Sequence, residues 1–355
     1  MTKPMGYLVV FFVPVSVILG AVLGGAWNFL TPVLVFGLVP VLDLAFGSNT
    51  KNPTPEEEAE LLAAPIYKNI VLACGATQIL MVAGGAWAFT HGDWTFLERV
   101  GFIFSMGSSS GIIGINVAHE LTHRIHEKDG IEHRLGKAML ATVLYMHWAI
   151  EHVMGHHKNV ATFDDPATAR FGENFWKFLP RTVSGGFRDA WNMEAARLAR
   201  KGLPAYGFEN RVIRYLLIEL AVLVFTGAVF GAAGLAYFVL QAAVAIWLLE
   251  VVNYIEHYGM KRKTLPDGSF ETVKPIHSWN SSNWFTNYFL FNLERHSDHH
   301  FKPNRRYQIL RHYEESPQLP TGYAGMILLA VIPPVWRKYM DGRVRLHRAA
   351  NNMPE

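Results

Sequence analysis

Residues 4–42 carry no charged side chain, an unbroken run of 39. A helix needs about 20 mostly apolar residues to cross the hydrocarbon core of a bilayer. Helices in the core of a soluble protein rarely run so long without a charge, so the run reads as two spans, divided by Trp27–Thr31 and Pro32. Further uncharged stretches cover 69–89, 100–118 and 220–249. The last has 30 residues with Gly231-Ala232-Ala233-Gly234 at its middle, too long for one span but suited to two joined by a tight turn. The chain therefore reads as an all-α integral membrane protein of six transmembrane helices in three hairpins. The spans fall at 7–26, 33–46, 69–89, 100–118, 212–230 and 235–255, in a single membrane-embedded domain covering 1–355.

Lys and Arg set the orientation. Of 32, residues 119–214 hold 14 and residues 257–355 hold another 14, while the loops at 27–31, 90–98 and 231–234 hold none. By the positive-inside rule both termini and both basic segments, 119–211 and 256–355, face the cytoplasm. Arg99, at the edge of an outer loop, fits that rule poorly. A weakly basic start favours an uncleaved first helix over a signal peptide. Two shorter apolar stretches do not span. Residues 138–150 read as a helix at or dipping into the cytoplasmic face, and residues 322–336 as a Pro-rich segment in the interface or under the bundle.

Composition removes several functions. With 50% hydrophobic residues the chain is not disordered, and its single Cys excludes a disulfide scaffold, a Cys-ligated zinc module or a Cys-held iron–sulfur cluster. A net charge of +3 gives no reason to expect a nucleic-acid partner. Sixteen His are the conspicuous excess, and nine of them fall into four groups. The groups are His119-Glu120-Leu121-Thr122-His123, Glu151-His152-Val153-Met154-Gly155-His156-His157, Asn253-Tyr254-Ile255-Glu256-His257 and Arg295-His296-Ser297-Asp298-His299-His300. Spacings of three and four place imidazoles on one helical face, within reach of one ion or two adjacent ions. All four groups converge where the bundle meets the cytoplasm.

Nine imidazoles exceed what one metal uses. A structural zinc takes four ligands and a catalytic zinc typically three, so nine favour a dinuclear centre with an open position. Imidazole suits zinc, copper, iron and nickel alike and does not name the metal. Glu120, Glu151, Glu256, and Glu294 or Asp298 stand beside the His groups as candidates to accept the second ring N–H. Glu250 and Asn253 are further candidates, because polar groups within a span usually face the interior. His126, His133, His147 and His277 lie near the groups and are weighed for supporting roles, whereas His91, His312 and His347 read as surface residues.

HELTH, EHVMGHH, NYIEHYG and LERHSDHH, in that order, resemble the integral-membrane alkane 1-monooxygenases of the His-box desaturase/hydroxylase superfamily. Asp165-Pro166-Ala167-Thr168, His277-Ser278-Trp279-Asn280-Ser281 after Lys274-Pro275, and Leu319-Pro320-Thr321-Gly322-Tyr323 add to the likeness, which covers nearly the whole chain. The resemblance implies a non-haem di-iron centre of two Fe ions held by His119, His123, His152, His156, His157, His257, His296, His299 and His300. It further implies O2, terminal hydroxylation of medium-to-long n-alkanes to 1-alkanols, and residence in a bacterial inner membrane. Electrons would come from rubredoxin, itself reduced by an NAD(P)H-dependent reductase. Thr122 and Arg124 stand where Gly and Lys are common, and Ile276 where a His often stands. These departures bear on substrate range more than on the reaction.

The chain has no CxxC pair, no nucleotide-binding glycine fingerprint and no recognisable flavin or haem site, so an external electron donor is expected. An aryl-methyl hydroxylase or lipid desaturase would use the same centre and is the competing enzyme reading. A zinc protease is suggested by H-E-x-x-H but leaves most of the His groups without a task. A His-lined divalent-metal transporter would need ionisable groups in several spans, which the first four largely lack. Chain-length preference and oligomeric state are not written in the sequence. The basic groups at 261–263, 305–306 and 337–348 flank the membrane or offer a surface to an acidic carrier.

Overall fold

The computed structural model describes residues 4–125 and 130–354, so His126 lies outside the described residues. In chain order its helices are α1 (Pro4–Leu23), α2 (Gly25–Phe46), α3 (Pro55–Ala63), α4 (Pro65–His91) and α5 (Phe96–Thr122). Then follow α6 (Ile131–Ala141), α7 (148–159), α8 (Phe175–Ala199) and α9 (Arg211–His257). The chain closes with α10 (Trp284–Phe289), α11 (His296–Phe301), α12 (Tyr323–Ala330) and α13 (Pro333–Ala350). Among the described residues there is no strand, only isolated bridges.

α1, α2, α4, α5 and α9 are long and apolar enough to cross a membrane. α9 is broken at Gly231, whose φ of 65° and ψ of −167° are not helical. Gly24, between α1 and α2, has nearly the same conformation, at 67° and −169°. Only glycine enters this region readily, so each residue breaks the helix between apolar segments. The first break therefore falls at Gly24, not at 27–32, and α2 begins at Gly25 rather than 33. Pro32 does not end the helix because a 3-10 turn (Gly25–Phe29) precedes it and α-geometry restarts at Leu30. Pro32 thus sits in a first turn, where its missing amide hydrogen is no loss.

Arg99 spends its charge locally. Its guanidinium donates to the carbonyls of Trp94 and Gly92, each at 3.1 Å, and to that of Phe89, closing the C-terminal end of α4. Thr95 and Glu98 form a capping box at the start of α5, and Glu98 also accepts from the Gly25 amide at 2.5 Å. Inside the bundle, Gln78 donates to Ser110 and Thr142, and Ser110 donates to Gln241 at 2.7 Å. These bonds join α4, α5 and α9 where apolar contact alone gives little specificity.

Residues 138–150 do not form one helix. α6 ends at Ala141 and Leu144 has a φ of 55°. The Thr142 hydroxyl bonds back to the Met139 carbonyl, and the Met146 amide is taken by Glu219 at 2.7 Å, so the chain turns before α7. α12 packs on α9 with Tyr323 and Met326 buried. Asp43 near the end of α2 accepts the Thr286 amide at 3.0 Å and also its hydroxyl, fixing α10 beneath the bundle.

Candidate metal centre

The histidines sit on short stretches of irregular helix. The last turns of α5 pass through a π-helical segment, Ser110–Ile115, before delivering His119 and His123. The core of α7, Glu151–His156, is itself π-helical. Such segments recur at functional sites because they re-aim side chains. Here the consequence is direct. In an α-helix His152 and His156 would share a face, but the wider turn pairs His152 with His157, Nε2 to Nε2 at 3.1 Å. His156 is turned away to face His300 at 3.2 Å.

All nine histidines are brought together, in two adjoining sets. One holds His119, His123, His152, His157 and His299; the other holds His156, His257, His296 and His300. In the first, Nε2 of His299 lies 2.8 Å from that of His119 and 3.0 Å from that of His157. In the second, Nε2 of His257 and His296 are 3.2 Å apart. The rings of His157 and His300 stack at 4.4 Å across the boundary.

A neutral imidazole Nε2 carries one hydrogen or one lone pair. Four facing Nε2 atoms in series, with the buried Nε2 of His123 unpartnered beside them, are not a satisfied hydrogen-bond chain. They are a satisfied ligand set. At a metal–nitrogen distance of about 2.1 Å, nitrogens roughly 3 Å apart subtend close to a right angle, whereas a tetrahedral site needs about 3.4 Å. The spacing fits octahedral-type coordination better than structural zinc. Burial, then the neighbouring rings, hold His123, His152, His157, His296, His299 and His300 well below the ordinary imidazole range. Neutral rings keep their lone pairs for a metal.

The surrounding carboxylates have distinct partners. Glu256 Oε1 is 3.2 Å from Nδ1 of His296 and accepts from the Tyr323 hydroxyl at 2.8 Å. Asp165, singled out in the sequence only as part of a motif, lies 2.9 Å from Nδ1 of His156. Its own oxygens are held by the Thr168 hydroxyl and the Ala167 amide, so the D-x-x-T spacing was the signal. Glu120 pairs with Arg124 at 2.6 Å, and Arg124 also donates to the carbonyls of Asn304 and Arg305, tying α5 to the segment after α11. Asp298 accepts from Arg305 at 2.8 Å and from the Arg311 amide. Glu250 accepts from Tyr145, Thr182 and Asn253. These residues and Glu151 wall a small cavity, and burial first, then Asp165, pushes the Glu151 carboxyl well up.

His147 and His277 lie outside both sets, and burial lowers each to about 4. His133 bonds the Thr122 carbonyl at 3.1 Å. His91 is exposed, as expected. His312 is not a surface residue: it is buried and bonded to Ser282 at 2.8 Å, because the 311–312 segment folds back onto Asn52. His347 is half-buried against the Ile276 carbonyl at 2.8 Å, because the amphipathic α13 lays that face on the 275–277 turn.

An apolar cavity ends on both histidine sets. Its walls come from α2, α5, α9, α10 and α12, with Phe36, Ile112, Leu248, Phe289 and Ile327 among them. Its inner end is formed by His119 and His152 of one set and His296 of the other, beside Asn116, Asn253 and Glu256. Such a space admits a slender apolar molecule and fixes it by shape.

Comparison with known proteins agrees with this arrangement. The fatty acid desaturase family pattern matches residues 94–330. Alkane 1-monooxygenase 1 of Pseudomonas aeruginosa is 45% identical over 91% of this chain and 84% of its own length. Alkane 1-monooxygenase 2 of the same organism is 43% identical over 93% of this chain and 88% of its own. The xylene/toluene monooxygenase hydroxylase component of Pseudomonas putida is more distant, 29% identical over 68% of this chain and 63% of its own.

Proposed function

Since this chain belongs to the alkane 1-monooxygenase family, within the fatty acid desaturase family, we propose that it converts the terminal methyl of medium-to-long n-alkanes to a 1-alkanol at a di-iron centre. The protein is a multi-pass membrane monooxygenase, and alkane and O2 are its substrates. The observation that carries the finer reading is the apolar cavity ending on His119, His152 and His296. Its walls are mostly apolar, as suits an alkane that makes no hydrogen bond, and a chain dissolved in the bilayer enters without leaving apolar surroundings.

His119, His123, His152, His157 and His299 would hold one iron, and His156, His257, His296 and His300 the other. Bound iron supplies the activation of O2 for insertion into a C–H bond. The residues do the rest. Asp165 orients the His156 ring through Nδ1, and Glu256 lies 3.2 Å from Nδ1 of His296. Five and four ligands leave coordination positions open, and the cavity delivers a terminal methyl beside them. Its walls keep bulk water from the reacting end.

Electrons come from rubredoxin and its NAD(P)H-dependent reductase, which suits a chain whose single Cys, Cys74, is buried. The setting is the bacterial inner membrane, with both termini and the histidine segments on the cytoplasmic side, following the placement of 28 of the 32 basic residues. The test is reconstitution with rubredoxin, its reductase and NADH, followed by product analysis on octane, hexadecane and xylene. The reading expects 1-octanol and 1-hexadecanol in preference to methylbenzyl alcohol. Iron-loaded protein that turns over xylene alone would make it an aryl-methyl hydroxylase instead.

A further inference from the structure

A second apolar groove runs along the outside of the bundle between α4, α6 and the first half of α9. Ile79, Val82, Ile218, Val222, Phe225 and Phe230 line it. From Tyr215 to Phe230 it follows α9 for about 22 Å at the helical rise, which exceeds half of the roughly 30 Å hydrocarbon core. One end is different. There Arg134 and Lys137 of α6 enter the lining, and Arg211 and Arg214 at the start of α9 stand close enough to repel the Lys137 charge.

Four cations thus gather at the water-facing end of an apolar groove. Arg211 is occupied by Glu194 at 2.6 Å. Among the described residues no carboxylate forms an ion pair with Lys137 or Arg214. Glu219, one turn along α9 from Tyr215, is buried and bonded to the Met146 amide. Lys137 is half-buried and Arg134 and Arg214 beside it are exposed, so an anion can reach all three from outside, and the groove below calls for apolar chains.

We propose that this groove binds an anionic phospholipid, with its phosphate between Lys137, Arg134 and Arg214 and an acyl chain along Ile218–Phe230. A zwitterionic headgroup brings its own ammonium to the same cations and is disfavoured. The site also matters to the metal centre. A Cβ on Gly136 would stand 3.0 Å from Leu121 Cβ and 3.2 Å from the Ala118 carbonyl, so α6 lies directly on the turn that carries His119 and His123. A lipid held by α6 braces that turn from outside.

The experiment is native mass spectrometry of the full, iron-loaded chain released from nanodiscs of equal phosphatidylglycerol and phosphatidylcholine. Wild type should retain phosphatidylglycerol at least five-fold over phosphatidylcholine. Arg134→Gln/Lys137→Gln should lose that preference and Lys137→Arg should keep it. Ala83→Trp, which fills the groove and leaves every charge in place, should reduce retention of phosphatidylglycerol as strongly and serves if the double variant does not fold. Equal retention of the two lipids by wild type, or unchanged phosphatidylglycerol retention in Ala83→Trp, overturns the proposal.

Discussion

Asp165 lies 2.9 Å from Nδ1 of His156 and so decides which nitrogen of that ring faces His300. An acceptor on the outer nitrogen of a ligating imidazole fixes its orientation and raises its basicity, and losing such a partner costs about 10- to 100-fold in metal affinity. Asp165→Ala should therefore weaken metal binding by roughly that factor in the set containing His156 and leave the other set occupied. Competitive titration with a chelator measures it. Uniform loss from both sets would assign Asp165 a structural task instead.

His156 and His157 are neighbours in sequence that belong to different sets. Their single alanine variants should each lower iron content, but they should perturb different sites when iron-loaded protein is examined by Mössbauer spectroscopy. Identical residual spectra would mean that the two residues serve one ion.

Chain length should respond to the wall of the cavity away from the histidines. Gly111 precedes His119 by eight residues on α5, and a Cβ there already comes 3.0 Å from Leu248 Cδ1. Gly111→Leu should close that part of the cavity and shift preference toward shorter alkanes. At about 1–3 kcal/mol for each methylene excluded, the hexadecane-to-octane product ratio should drop by ten-fold or more. An unchanged ratio would place the chain elsewhere.

The junction of α8 and α9 depends on Glu194, which accepts from Arg197 and Arg211. Burial raises its carboxyl, but the hydrogen bonds of Arg197 and Arg211 outweigh that and hold it down at about 2 against an ordinary 4.5. A group lowered on folding stabilises above its unfolded value and loses that contribution as pH falls through its folded value. Glu194→Gln should cost about 2 kcal/mol near neutral pH, the scale of hydrogen bonds to a charged group. The gap between wild type and variant should narrow from about pH 4.5 towards pH 2. Denaturant titration of metal-free protein in detergent, followed by tryptophan fluorescence, gives the gap at each pH.

What could be read from the chain depended on the range of the signal. Charge-free runs and histidine groups are properties of local sequence, so the long apolar helices and the nine convergent rings were legible. The pairing of His152 with His157 was not, because spacing implies α-geometry and nothing in EHVMGHH announces a wider turn. The break at Leu144 was hidden for a related reason: Glu219, 73 residues away from Met146, takes the amide that an α-helix would have used. Asp165 had a readable local signal, yet its histidine partner was set by tertiary folding. His312 looked like a surface residue because its contact with Ser282 spans 30 positions.

The division of nine histidines into sets of five and four is the claim on which the rest depends. Protein grown on ⁵⁷Fe and purified in detergent tests it by combining iron analysis with Mössbauer spectroscopy. The account predicts two irons per chain in two inequivalent sites of equal area. One metal per chain, or two irons in a single environment, would contradict it.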